Sequence, residues 1–219
     1  EACRVLEVPV VSGNVSLYNE SRGQAIFPTP VVGGLGLLED AAKATRSAFA
    51  AEGLVVGLLG ADTLGIEVND LAGSEYLQRV HGRVEGSPKI DIDLEKQVQQ
   101  VCRDAIEQGL ITSAHDCSEG GLAVALAECS IQGGMGFTGE FSVADRWDVT
   151  LFGERQSRIV VGLSEDRWDA LVSLAAGFGV PAIKLGYTGG GRFRFNGQVD
   201  LSVSEISRVW NNGLEAVSG

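Results

Sequence analysis

An α+β fold, built of helix and strand layers, is what this sequence predicts, and three observations predict it. Leu54–Gly60 (L-V-V-G-L-L-G) is an unbroken apolar run of strand length bounded by glycine, which reads as a buried strand. Asp93–Gln108 carries Leu94, Val98, Val101, Ala105 and Ile106 at three-to-four spacing, which reads as the clearest helix of the chain. Strands and helices then succeed one another in irregular order, which fits layers better than strict parallel winding. A chain of 219 residues, 44% hydrophobic and 21% charged, can fill such a core as one large or two small domains.

The first fifty residues form a group of their own. Glu1–Glu7 reads as a helix end leading into a strand at Val8–Val11. Pro9–Glu20 (P-V-V-S-G-N-V-S-L-Y-N-E) turns abruptly polar, and Ser21–Gln24 is a polar turn. Pro28 and Pro30 exclude a helix, so Ala25–Asp40 is expected to run extended into a strand at Val31–Leu38. Ala41–Ala50 is a small-residue linker, and a first domain or its remnant is expected to end there.

From Leu54 onward the pattern becomes one of strands and helices. After the Leu54–Gly60 strand, G-S-E-Y-L within Asp70–Val80 opens a short helix. The long helix follows, with Asp93 as expected N-cap and Gly109 as its stop. A strand at Ile111–Ala114 precedes a helix at Leu122–Gln132, closed by Gly133 and Gly134. Gly136–Phe141 and Arg158–Leu163 read as strands and Glu165–Phe178 as a helix. Pro181–Gly186 and Arg192–Phe195 are short strands around a G-Y-T-G-G-G turn, and Val203–Val217 is a terminal helix. Trp147, Trp168 and Trp210 are expected to pack beneath helices.

A formal charge of −12 argues against non-specific binding to nucleic acid or to an anionic membrane. No apolar run approaches the roughly 20 residues of a membrane span. Cys3, Cys102, Cys117 and Cys129 form no C-x-x-C pair, so a reducing, cytoplasmic setting is expected. The chain opens on E-A-C-R-V-L-E without Met, which reads as a piece of something longer.

Three stretches carry candidate chemistry. In the first, Ser12, Gly13, Asn14 and Ser16 offer a flexible backbone, an amide oxygen and hydroxyls, which suit a phosphate and Mg²⁺; equally, S-G-N is a common surface turn. The second is Ser113–Ala123 (S-A-H-D-C-S-E-G-G-L-A). There a strand ends in His115 and Asp116 and runs through Gly120 and Gly121 into a helix start that can receive an anion. His115 suits acid–base work, or it is a buried polar group while Asp116 or Ser118 caps the helix. The third, Leu151–Arg158 (L-F-G-E-R-Q-S-R), places Glu154, Arg155 and Arg158 before a strand, as a polar site or as a solvated turn. His81 has no carboxylate or Cys at ligand spacing and reads as a surface residue.

Taken in order, P-V-V-S-G-N-V-S-L-Y-N-E, T-P-V-V-G-G-L-G-L-L-E-D, A-G-S-E-Y-L, A-H-D-C-S-E-G-G-L-A-V-A-L-A-E and L-F-G-E-R-Q-S-R-I-V-V resemble the C-terminal part of the phosphoribosylformylglycinamidine synthase family. That family is part of the aminoimidazole ribonucleotide synthetase-like superfamily. The resemblance implies that residues 1–50 are the remnant of a second N-type ATP-binding domain and 51–219 a C-type α+β domain. It implies a cytoplasmic ligase that amidates formylglycinamide ribonucleotide in purine synthesis, using ATP, Mg²⁺ and glutamine-derived ammonia. A glutaminase subunit, a small bridging subunit and an N-terminal half of the same subunit are the implied partners.

By the same resemblance, Gly13 contacts ATP, Asn14 ligates Mg²⁺ and Ser16 contacts substrate. No catalytic residue falls in this stretch of the family, so the chain alone is expected to be inactive. The F-G-E-R-Q-S-R block matches, by internal pseudo-symmetry, a substrate-binding segment of the other half; here the expectation is a structural or vestigial role. Two rival readings remain: a small-molecule kinase of the same superfamily resembling selenophosphate synthetase, and a non-catalytic domain that binds a nucleotide or docks subunits.

Overall fold

The computed structural model describes residues 1–26, 29–61, 64, 68–141, 143, 146–195 and 197–213. Two compact units divide the chain, Glu1–Ala44 and Thr45–Gly219. The expected boundary stood at Ala50. Phe49 explains the six-residue difference: it is 2% exposed, donates its N–H to Cys129 O and lies 6.3 Å from the Phe137 ring, all within the second unit.

In the first unit, α1 (Ala2–Val5) is a single turn. Strands β1 (Glu20–Ser21) and β2 (Gln24–Ala25) pair antiparallel around the expected turn, whose central residues Arg22 and Gly23 both have positive φ, as a two-residue hairpin requires. The strands expected at Val8–Val11 and Val31–Leu38 do not form. Val11 is 91% and Val32 89% exposed, and neither stretch pairs with another strand among the described residues. β-propensity fits a residue to a pleated surface, but only a hydrogen-bonded neighbour makes that surface. Pro28 lies outside the described residues. A short 3₁₀ turn at Ala41–Lys43 is capped by Asp40, whose carboxylate accepts from Ala42 N–H at 2.9 Å.

The second unit is a three-layer sandwich. Its strands are β3 (Val55–Leu59), β4 (Ser113–Asp116), β5 (Phe137–Gly139), β6 (Ile159–Leu163), β7 (Ala182–Thr188), β8 (Arg192–Phe195) and β9 (Val199–Ser202). They form one sheet in the order β4-β6-β3-β7-β5-β8-β9, antiparallel throughout except for β5 with β8. The helices are α2 (Glu75–His81), α3 (Ile92–Glu107), α4 (Gly121–Gly133), α5 (Trp147–Phe152), α6 (Trp168–Gly177) and α7 (Val203–Asn211). This agrees with the α+β expectation.

β3 shows why the central run is apolar at every position. Val56 and Leu58 join one buried cluster with Leu122, Leu126 and Cys129 of α4 and Leu151 of α5. Val55 and Leu59 join the other with Val98, Val101 and Ala105 of α3 and Leu171 and Ala175 of α6. Strand periodicity sends alternate residues to opposite faces, and both faces are covered. Between them sits Gly57, where an added Cβ would lie 2.6 Å from the Trp168 ring. Trp168 therefore packs beneath its helix as expected. Trp147 and Trp210 do not: they are 43% and 54% exposed.

Several expected boundaries shift. The cap of α3 is Asp91, which accepts from Asp93 N–H and Leu94 N–H, so Asp93 sits inside the first turn. The strand expected at Ile111–Ala114 lies two residues later. α5 and β9 were not anticipated, and α7 is held at its start by a reciprocal Ser202–Glu205 capping box. Of the expected terminal helix, residues 214–217 lie outside the described residues.

Candidate functional site

The three candidate stretches meet very different fates. Gly13, Asn14 and Ser16 lie in exposed, irregular chain of the first unit, and nothing comes within 4 Å of the position a Cβ would take on Gly13. Tyr18 Oη donates to Glu20 Oε1 at 3.3 Å inside the same stretch. The stretch is thus open and accessible, but among the described residues no second side chain of a site is seen beside it. Among the described residues no group of three or more His, Cys, Asp or Glu is arranged to hold a metal.

The second and third stretches come together. α4 begins with two left-handed glycines, Gly120 at φ +79° and Gly121 at +68°, conformations that side chains other than Gly rarely take. A Cβ on Gly121 would meet Gly153 O at 2.5 Å, so glycine here also lets the 153–158 loop approach the helix start. Glu154 exploits that approach. Its Oε1 accepts from Gly120 N–H at 2.8 Å and from Glu75 N–H, the first residue of α2, also at 2.8 Å. One internal carboxylate therefore answers the free N–H groups at two helix starts, where the helix dipole favours negative charge. The anion seat expected at Gly120–Gly121 exists, and Glu154 fills it. Neither Asp116 nor Ser118 caps α4 with its side chain, so that expectation is corrected.

The same loop is anchored along its length. Glu154 N–H donates to Asp70 O at 2.8 Å. Arg158, 7% exposed, donates from Nη2 to Gly153 O at 2.7 Å and from Nε to Arg155 O at 3.1 Å. Its own carbonyl accepts from Cys117 N–H at 2.9 Å. Buried Arg158 and half-buried Glu154 thus contradict the solvated-turn reading, while Arg155 remains exposed.

His115, on β4, is largely covered. Nδ1 donates to Asp116 O at 2.7 Å, and Nε2 lies 3.1 Å from Glu128 Oε2 on α4. Glu128 Oε1 in turn accepts from Trp210 Nε1 at 3.2 Å, tying α7 to α4. His81 is exposed, as expected, with its ring edge-on to Tyr76 at 5.6 Å. The buried thiols are chemically quiet. Burial pushes Cys117 up to about 11, against the lowering effect of Arg158, and Cys129 up to about 12.

Beside the anchored loop lies a cleft of about 280 Å³, lined in part by Asn69, Lys89, Asp91, Arg155, Gln156 and Ser157. Sequence reading missed it, because its walls come from three segments far apart in the chain. Only the F-G-E-R-Q-S-R block signalled one of them.

Comparison with known proteins agrees with this architecture. The family of AIR synthase related proteins, by its C-terminal domain, matches residues 51–196. Over 228 residues the chain is 45% identical to phosphoribosylformylglycinamidine synthase subunit PurL of Anaeromyxobacter sp. (strain Fw109-5), covering 99% of this chain and 29% of that protein. It is 47% identical over 219 residues to the PurL subunit of Thermomicrobium roseum, covering 98% and 29% respectively. The chain thus spans about three tenths of the length of these relatives. Among solved structures, T. maritima PurL complexed with FGAR matches with a TM-score of 0.64 at 17% identity, over 76% of this chain and 30% of that one. T. maritima PurL complexed with ATP matches at 0.59 and 17%, over 76% and 28%. At that identity the likeness is one of fold. Among the described residues no helix is long and apolar enough to cross a membrane.

Proposed function

The chain belongs to the family of AIR synthase related proteins, through their C-terminal domain, and from that premise we propose that it is part of the synthetase subunit of a phosphoribosylformylglycinamidine synthase. The observation that carries this reading is the identity of 45–47% over nearly the whole chain to PurL subunits. In this reading residues 51–219 are a C-type domain and residues 1–50 the tail of an N-type ATP-binding domain. The whole subunit converts formylglycinamide ribonucleotide to the amidine in the cytoplasm. ATP phosphorylates the amide oxygen, giving ADP and an imino-phosphate. Ammonia, produced from glutamine by a separate glutaminase subunit, then attacks the carbon and displaces phosphate. A small bridging subunit joins the complex.

The role proposed for this chain's own residues is binding. Gly13 lets the backbone approach ATP, and the Ser16 hydroxyl hydrogen-bonds the substrate. Both are exposed, and nothing lies within 4 Å of a Cβ built on Gly13, which supports a ligand-facing role. Asn14 supplies one neutral oxygen to Mg²⁺, which would offset phosphate charge when bound. Among the described residues no group of three or more His, Cys, Asp or Glu is arranged to complete such a site, and in this reading the remaining ligands come from other parts of the subunit. No catalytic acid or base is assigned to this chain.

The test replaces the matching three tenths of the Thermomicrobium roseum subunit with this chain. Amidine formation from formylglycinamide ribonucleotide, ATP and ammonia is the expected result. A folded, soluble chimera with no product sinks the assignment. Phosphorylation of another small acceptor by that chimera would instead favour the kinase reading.

A further inference from the structure

We propose that α7 is a pH-sensitive latch, held on the second unit by a proton between His115 on β4 and Glu128 on α4. Asp116 O lies 2.7 Å from Nδ1 and can only accept, so Nδ1 carries a proton. Nε2 faces Glu128 Oε2 at 3.1 Å, and an ionised carboxylate also only accepts. The second contact attracts while a proton lies between the two atoms. Without that proton a ring lone pair faces a carboxylate oxygen, and the contact repels. The same carboxylate holds α7. Its Oε1 accepts from Trp210 Nε1 at 3.2 Å, the one side-chain hydrogen bond from α7 to another helix among the described residues. α7 is otherwise lightly held: none of its residues is fully buried, and Ile206 packs only partly buried against the α4 cluster.

The neighbouring groups leave the imidazole as the one that switches. Asp116, on β4 itself, places Oδ1 3.7 Å from Nδ1, and its side chain is largely exposed. Cys129 beside Glu128 and Cys117 beside Asp116 keep their thiol protons, because burial pushes them up to about 12 and about 11. Arg158, near Cys117, is a permanent cation, and the β6 residue paired with His115 is the apolar Val160. The α7 partner is an indole, which does not titrate. Imidazole is the side chain whose ordinary chemistry changes charge between about pH 5 and 8. Raising the pH removes the proton from the Nε2–Glu128 contact and turns Glu128 away from the ring. The indole then loses its acceptor. α7 therefore docks more firmly as pH falls and loosens as pH rises, drawing Ile206 off the α4 cluster. The device lies wholly in the second unit and does not depend on the ligand roles proposed for Gly13, Asn14 and Ser16.

The experiment places 5-fluorotryptophan in the whole 219-residue chain and follows its three tryptophans by fluorine NMR from about pH 5 to 8, with the two histidine rings monitored in parallel. The Trp210 resonance should move between two plateaus with the midpoint of His115, while Trp168 beneath α6 stays still. Glu128→Gln is the decisive variant. Its amide keeps an acceptor for the indole and gains a donor for the unprotonated Nε2, so the Trp210 response should vanish or change sign. His115→Phe, which removes the titrating ring, should abolish the response as well. A Trp210 resonance that does not move in the wild type overturns the proposal. So does an unchanged response in a folded Glu128→Gln variant, or a Trp210 midpoint that matches His81 rather than His115.

Discussion

Four Val-Val pairs occur in this chain, and they divide evenly between its two units. Val10–Val11 and Val31–Val32 in the first are 76%, 91%, 92% and 89% exposed; Val55–Val56 and Val160–Val161 in the second are at most 1% exposed. The dipeptide is the same, so intrinsic propensity cannot account for the difference. β3 has β6 on one side, β7 on the other, and helices over both faces. The 8–11 and 31–38 segments have no strand partner among the described residues. A β-forming sequence becomes a strand only when another segment completes its hydrogen bonds and covers its side chains.

Paired leucine truncations test that contrast most severely. Leu58→Ala empties a site that is 0% exposed and should cost about 2–5 kcal/mol. Leu35→Ala, at a side chain that is fully exposed, should stay within about 0.5 kcal/mol. All three tryptophans, Trp147, Trp168 and Trp210, lie in the second unit, so urea unfolding followed by their fluorescence reports that unit selectively. A loss of comparable size from Leu35→Ala would overturn the contrast between these two positions.

Glu154 sharpens the comparison at the level of polar groups. Glu154→Ala leaves Gly120 N–H and Glu75 N–H without their acceptor, and should cost about 1–3 kcal/mol. Glu154→Gln keeps an acceptor oxygen but loses the charge, and should fall between the wild type and Ala in a thermal melt. If Glu154→Ala melts with the wild type, the carboxylate does not hold the loop to the helix starts.

The thiols divide by unit as well. Cys3 is exposed, while Cys102, Cys117 and Cys129 are buried, so an aromatic disulfide reagent at neutral pH should titrate one thiol quickly and three only on unfolding. Burial raises the folded-state values of Cys117 and Cys129 to about 11 and 12 from 9.0. A raised acid pKa means that the unfolded chain releases its proton first. The associated stability is therefore complete below pH 9 and is lost as pH rises toward 11–12. At pH 10 the loss is about 1 kcal/mol per thiol, visible as a lower urea midpoint than at pH 8. Replacing both with Ala should flatten that alkaline fall.

How much of this was legible in the sequence follows from the range of the interactions. The helix at α3, the strand at β3 and the glycine start of α4 are local patterns, and all three were readable. The capping of α4 was not, because its acceptor arrives from Glu154, 34 residues away. The cleft was equally invisible, since Asn69, Lys89 and Arg155 become neighbours only when the 3₁₀ turn at Val68–Leu71, the start of α3 with the chain before it and the 153–158 loop pack together. In the first unit the error ran the other way. Alternating and branched residues were read as strands where the described residues supply no neighbour.

Asn14 is where the smallest structural effect and the sharpest functional one should coincide. Its side chain is exposed and makes no hydrogen bond among the described residues, so Asn14→Ala should move the stability of this chain by less than about 0.5 kcal/mol. In the function proposed above, Asn14 serves as a ligand to Mg²⁺. In the chimeric subunit the same substitution should therefore weaken Mg²⁺–nucleotide binding, read by calorimetry, without lowering the melting temperature. Gly13→Val should act in the same direction by obstructing backbone approach, although nothing in this chain opposes the added side chain. Undiminished nucleotide binding in both variants would leave 9–20 as a surface turn and remove the one role that sets the first unit apart from the second.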